Sequence, residues 1–389
     1  MLTEISKKVQ TQKFTDALAQ AEAWDQANID QRARLKDLSY GSLENGKQIN
    51  EELGFTPIDQ ENSRAASLFG TGVTVTTERE WLELSDYARG QLCYRLDAPP
   101  QKWLFGDKCD AELRAQILQY QINKSDPEKE ILLRQRSLNG QRYVRAVLSD
   151  RFGKFDHFKY LSMIADAMRH DGTDPDRFEI SRFYLGNSMS MMISIPMDLD
   201  SGLNAFIDDA NLDYSQDERD RGWGQHGGIR RAVIVGNSEI GSGSWYAYPA
   251  IWRQVCGNGM QAWVQGVGFS GRHIGTETAQ VMVIADTIAQ SFKFSKELAE
   301  GFVATQAVKL NRTTIGDLLD SWTNKYSLPI GVADAMKERS QGRDTTLWHQ
   351  INYLTEMARD TESDQVRDDL EKVAGELVFA TINPVYLAA

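Results

Sequence analysis

ILLRQRSL-NG-QRYVRAVL, residues 131–148, is two strand-length runs on either side of Asn139-Gly140. Asn-Gly supplies the positive φ angles that a two-residue hairpin turn demands, so the stretch predicts an antiparallel β-hairpin. Ser149, Asp150 and Arg151 then break the strand, and Leu161, Ile164, Ala165 and Met168 resume helical spacing over residues 158–168. FEISRFYL and MSMMISIPM flank Gly186-Asn187-Ser188 within residues 178–197 and predict a second β pair. Its methionines, Met189, Met191, Met192 and Met197, suit a core better than a metal cluster. Residues 229–235 and 263–269 are further strand candidates.

Outside this β-rich centre the pattern is mainly helical. Phe14, Leu18, Ala21 and Trp24 predict an amphipathic arm within residues 1–40, continued by a polar extension. Residues 42–72, with Asn45-Gly46 and Pro57, predict a linker with turns. A β-branched run at 73–77 suits a short strand, and 78–95 reads as one or two helices stopped by Pro99-Pro100. The acidic stretch 198–228 reads as a long loop. Residues 277–308 predict a long helix, and helical spacing continues to about 379. The expected fold class is therefore α+β: a central, mostly antiparallel β-sheet with hairpins, flanked by an N-terminal helical module and a long helical C-terminal region. The segments are 1–72 for the arm and linker, 73–130 for the small helical module, 131–275 for the α+β core and 276–389 for the helical region.

Composition narrows the function classes. The 389 residues carry 43 Lys and Arg against 55 Asp and Glu, a net charge of −12, which argues against indiscriminate coating of DNA. Three cysteines make no CxxC pair, and five histidines show no HExxH or zinc-finger spacing, so no metal or other cofactor is assigned. There is no GxxxxGK[ST], GSGSWYAY is not GxGxxG, and no GxSxG elbow occurs, which leaves ATP hydrolysis, a dinucleotide fold and a serine hydrolase without support. No apolar run reaches membrane-spanning length and the first residues lack a secretory apolar block; a cytoplasmic protein without a membrane partner is expected.

One segment departs from the acidic background. Residues 228–275 hold four arginines, three tryptophans and two tyrosines around a single acid, Glu239. A ligand with π faces and negative charge explains such a composition, and single-stranded nucleic acid has both. If the strands pair in one sheet, Arg142, Arg145, Arg151, Arg182, Arg230, Arg231, Arg253 and Arg272 line one face, with Trp245, Tyr246, Trp252 and His273 as stacking or polar partners. The blander alternative is that these arginines are solvated or salt-bridged and that the aromatics are core. Asp150, Asn237, Glu239, Gly241, Asn258 and Gly259 read as anchors of turns and loops. Asp150 and Glu239, with His273 or Lys154 nearby, also form an acid pair of the kind that binds Mg²⁺ for phosphodiester cleavage.

RAVLSDR at 145–151, NSEIG at 237–241, WRQVCGNGM at 252–260 and GRHIG at 271–275, with LSDYARGQLCYRLDAPP at 84–100, together resemble the phage/plasmid-like family known as domain of unknown function number 932. The resemblance covers roughly residues 73–290. It implies a setting in the DNA metabolism of mobile elements and supplies no catalytic residue. The leading expectation is a homo-oligomeric protein that binds single-stranded nucleic acid and suits ATP-independent strand annealing. Two rivals stay open: a Mg²⁺-dependent phosphodiester-cleaving enzyme, and a non-enzymatic protein-interaction or counter-defence factor.

Overall fold

The computed structural model describes residues 7–8, 13–42, 71–75, 80–138, 141–170, 174–195, 229–255, 258–263, 269–273, 277–310, 315–326, 328, 331–340, 345–361 and 364–382. Its strands are β1 (Lys7–Lys8), β2 (Asn28–Arg34), β3 (Leu38–Ser42), β4 (Thr71–Val75), β5 (Glu80–Leu84), β6 (Glu130–Leu138), β7 (Gln141–Ser149), β8 (Glu179–Leu185), β9 (Ser188–Ser194), β10 (Ile229–Ser238), β11 (Trp245–Val255), β12 (Asn258–Trp263), β13 (Phe269–Gly271), β14 (Lys309–Leu310) and β15 (Thr345–Thr346). The helices are α1 (Phe14–Gln26), α2 (Asp86–Arg95), α3 (Gln101–Leu104), α4 (Ala111–Lys124), α5 (His157–His170), α6 (Glu277–Ala304), α7 (Ile315–Tyr326), α8 (Val332–Ser340), α9 (Leu347–Asp360) and α10 (Asp364–Ile382).

The expected hairpin forms β6 and β7, and the class is α+β. The expected single central sheet, however, is two. A six-stranded sheet runs β2-β6-β7-β5-β4-β3, antiparallel except at β5 and β7. A seven-stranded antiparallel sheet runs β1-β8-β9-β10-β11-β12, with β13 also on β11. The first packs Leu82, Leu84, Ile131, Leu133, Val144 and Val147 against α2 to α4. Ser85 and Asp110 start α2 and α4 by accepting the Ala88 and Leu113 N–H groups, the usual remedy for orphan amides at a helix start. The second sheet buries Phe183, Met189, Met191, Val233, Val235 and Ala247 under α1, α5 and α6. The C-terminal helices close a further core over Ile229, Ile251 and Ala262.

Three expectations change. The amphipathic arm is not peripheral: Phe14, Ala17 and Ala21 are fully buried beside α5, and the Thr15 main-chain and side-chain groups both donate to Asp176. The polar extension is strand β2, whose cross-strand pairing with β6 supplies what its composition does not advertise. Residues 80–84 are a strand rather than the start of a helix, so the six-stranded sheet crosses the expected boundaries at 72 and 130. The linker residues 43–70, the turn Asn139-Gly140, the acidic stretch 198–228 and Cys256 lie outside the described residues.

Phe14→Ala should lower unfolding free energy by about 3–5 kcal/mol, the cost of deleting a buried aromatic ring. Urea unfolding checks this; a loss within about 0.5 kcal/mol, the size of an ordinary surface change, would return α1 to a peripheral arm.

Candidate functional site

Two sites emerge where the sheets and helices meet. The first is a buried polar junction. Arg134 and Arg145 reach from the six-stranded sheet toward Glu239, which sits in the turn between β10 and β11 of the other sheet. A β-bulge makes this possible: Arg134 pairs with Ala146 and Gln135 with Val144, which leaves Arg145 as the extra residue and re-aims it. Arg145 Nη1 donates to Glu239 Oε2 at 2.7 Å, with both side chains fully buried, and to Asn187 Oδ1 at 3.2 Å. Arg134 Nη1 donates to the Glu239 main-chain carbonyl at 2.9 Å while the same guanidinium pairs with Asp30 and Asp156.

Glu239 and Asp25 also serve the start of α5. The His157 N–H donates to Glu239 Oε1 (3.0 Å) and the Phe158 N–H to Asp25 Oδ2 (2.9 Å), so an ionised Glu239 and the neutral Asp25 carboxyl meet the positive end of one helix. Trp24 Nε1 and Asn28 Nδ2 donate to Glu239 Oε2, each at 3.2 Å. Burial works against the charge of Glu239, but Arg145, a hydrogen bond from Asp25 and Arg134 outweigh it and hold its pKa well below the carboxylate range. His157 is itself neutral: burial depresses its pKa, Nε2 donates to the Gly186 carbonyl and Nδ1 accepts from Asn237. Burial, then the charge and hydrogen bond of Glu239, push Asp25 up to about 9, so it is a neutral donor at pH 7.

The sequence motifs converge here. Gln91, from the 84–100 motif, accepts from the Val147 N–H and donates to the Ile240 carbonyl, each at 2.8 Å. Gly241 has a φ of 73°, and a side chain there would press on Leu148. Leu132, Ala146, Leu148, Ile240 and Phe152 form a small apolar cluster beside the ion pairs. Asn237 ties the turn to the Phe155 carbonyl at 2.8 Å.

The second site is a pocket of about 350 Å³ lined by β8, β9, β10, the 242–244 loop, β11 and α10. A second bulge builds it. Ile180 pairs with Ile193 but Arg182 with Met192, so Ser181 is the extra residue, and Arg182 turns away from the face that Ile180 buries. Arg182 Nη1 meets Asp368 (3.2 Å) and Glu371 (3.1 Å). Burial raises Glu371 to about 7, which leaves Arg182 only partly neutralised by it at neutral pH. Tyr246 lies flat on Gly236, where any side chain would collide with its ring, and stacks on Tyr248 with centroids 4.7 Å apart and planes 13° from parallel. Ser188, Ser190, Ser238, Ser242 and Ser244 supply hydroxyls around it.

The shared arginine face is not what the structure shows. Arg142 and Arg145 belong to one sheet and Arg182, Arg230 and Arg231 to the other. Arg142 donates to Gln135, Arg230 pairs with Glu179, and Arg231 donates to the Phe292 carbonyl of α6. Arg151 and Arg272 are exposed. Trp245 is buried core, lying over Gly271. His273 is buried and stacked on Phe152 at 5.1 Å; burial and then Arg134 lower its pKa to about 4, so it offers no positive charge at pH 7. The side chains of Trp252 and Arg253 lie outside the described residues. Asn258 and Gly259 open β12, paired with Val255 and Gln254. Asp150 is exposed in the turn after β7. Of the expected contacts, only Arg182 and Tyr246 meet in the pocket; Asp368, Tyr184 and the serines were not foreseen. GSGS at 241–244 was their one visible signal.

Residues 218–375 match the family model of the Domain of unknown function (DUF932). The match begins later than the motif resemblance and extends further, over β10 to β13 and the helices through most of α10. The DUF932 segment thus contains Glu239, Tyr246, Asp368 and Glu371, whereas Arg145, Arg182 and the 84–100 motif precede it. No curated protein and no solved structure matches the chain.

Two outcomes test the junction. Arg145→Met should cost about 3–5 kcal/mol, because it strands the buried Glu239 charge; a cost below about 1 kcal/mol in urea unfolding would contradict the pairing. Asp25 is neutral in the folded chain until about pH 9 but ionises near 3.8 when unfolded, so between these values the unfolded chain holds fewer protons and stability falls as pH rises. Asp25→Asn should remove that slope. Melting curves at pH 6 and pH 9 should show the variant gaining on the parent at the higher pH; parallel behaviour would contradict the neutral Asp25.

Proposed function

We propose that the protein binds single-stranded nucleic acid without ATP and receives one unstacked base in the Arg182–Tyr246 pocket. The observation that carries this is the Tyr246 ring, held flat by Gly236 and backed by Tyr248, in a concave site that also presents Arg182 and Asp368. A base has a π face for the ring and polar edges for the charged groups, and base–aromatic stacking contributes about 1–3 kcal/mol per base. The volume suits a base with part of its sugar, near the lower end of ligand pockets. A bacterial cytoplasm, a mobile-element setting and a homo-oligomer that repeats the pocket along a strand belong to the same proposal.

Strand annealing asks more: one continuous cationic trough for two backbones. Among the described residues the strand arginines are divided between two sheets and engaged by Glu239, Gln135, Glu179, Asp368, Glu371 and a backbone carbonyl, and the exposed Arg151 and Arg272 do not join them in one trough, so binding is proposed without annealing. The Mg²⁺ rival is not favoured either, because both oxygens of Glu239 are enclosed by donors, and no group of three or more His, Cys, Asp or Glu suited to a metal occurs among the described residues. No helix among them is long and apolar enough to cross a membrane.

Fluorescence anisotropy with a labelled mixed-sequence single strand tests the proposal. Binding should weaken with salt, and Tyr246→Ala should reduce affinity by about 5- to 150-fold. Wild-type affinity in Tyr246→Ala, with the fold intact by circular dichroism, would move the strand elsewhere.

A further inference from the structure

We infer that the base taken by this pocket is guanine, an assignment that rests on the base-binding role just proposed. A guanidinium and a carboxylate stand side by side on one wall: Arg182 Nη1 lies 3.2 Å from Asp368 Oδ1. The Arg182 side chain is 8% exposed and lines the pocket, held there by Asp368 and Glu371. Asp368 lines the same pocket with about half of its side chain accessible, so its carboxylate can be reached from within.

Guanine matches this pair on two adjoining edges. Its O6 and N7 accept the forked donors of an arginine, and its N1–H and N2–H₂ give a carboxylate two parallel donors. Adenine presents one acceptor and one donor to the same groups. Thymine and cytosine lack the second ring that spans from arginine to carboxylate, and cytosine meets the guanidinium with an amino group. Stacking on Tyr246 would hold any base; the Arg182–Asp368 wall is what distinguishes them. Ser188 and Ser242 lie at the loop side of the pocket and Ser190 on β9, and their hydroxyls suit the sugar and its linkage.

The test is anisotropy of oligo-dT strands that carry a single central guanine, adenine, cytosine or hypoxanthine. Hypoxanthine keeps O6, N7 and N1–H but lacks the N2 amino group. The guanine strand should bind about ten-fold tighter than the adenine and cytosine strands, with hypoxanthine between them. Asp368→Asn, checked for folding by its melting curve, should bring the guanine-to-hypoxanthine ratio close to one. Equal affinity of all four strands for the wild-type protein, or a guanine preference that survives Asp368→Asn, overturns the assignment while strand binding itself stands. Failure of every strand to bind would instead remove the base-binding role. Should Asp368→Asn not fold, the wild-type comparison of guanine with hypoxanthine decides, since equal binding shows that no carboxylate reads N2.

Discussion

The buried ion pair between Arg145 and Glu239 is the constraint on which the arrangement of the two sheets depends. Each group would be costly to bury alone, and each is brought by a different sheet, so neither sheet can shift without exposing a charge to an apolar interior. Glu239 multiplies the effect because its oxygens also receive the first amide of α5 and donors from Trp24 and Asn28. One carboxylate therefore joins the N-terminal helix, both sheets and α5. Gln91 adds a neutral stitch at the same place by bonding one strand of the first sheet and the turn of the second.

Fixing that turn also fixes the pocket. Glu239 is followed directly by the 241–244 loop, which forms one rim, and by Tyr246, which forms the floor. Gly241 takes its positive φ where Leu148 of the first sheet closes on it, and Tyr246 sits close over its cross-strand partner Gly236. The pocket draws its charged wall from further away, with Arg182 placed by the bulge at Ser181 and Asp368 by the first turns of α10. The result is a site that needs the α5 face of the second sheet buried and the opposite face partly open.

Much of the architecture was legible because it is encoded locally. Asn139-Gly140 marks the first hairpin, Gly186-Asn187 the second, and the methionines between residues 189 and 192 lie in the core. The helical C-terminal region carries its own 3.6-residue period. What local patterns could not reveal is long-range. Residues 28–34 look like a polar extension of the arm and become a strand only because β6 offers them a partner. Strict alternation would set Arg182 on the same face as Ile180, and only the extra Ser181 sends it to the other. Arg145 likewise reads as a strand arginine and is redirected inward by a bulge. Asp368 lies 186 positions from Arg182, at a place where an exposed helical acid is the ordinary expectation. The basic and aromatic composition of residues 228–275 does not make a shared face among the described side chains: Trp245 is core, Arg230 pairs with Glu179, Arg231 bonds a backbone carbonyl and Arg272 stands exposed.

The most direct measurement is zero-length ultraviolet cross-linking of the full chain to a short single-stranded DNA, followed by peptide mapping of the attached nucleotide. The account predicts a cross-link on the peptide containing Tyr246, lost when an excess of unlabelled strand competes. Cross-links confined to other peptides, with the Tyr246 peptide recovered unmodified, would contradict it.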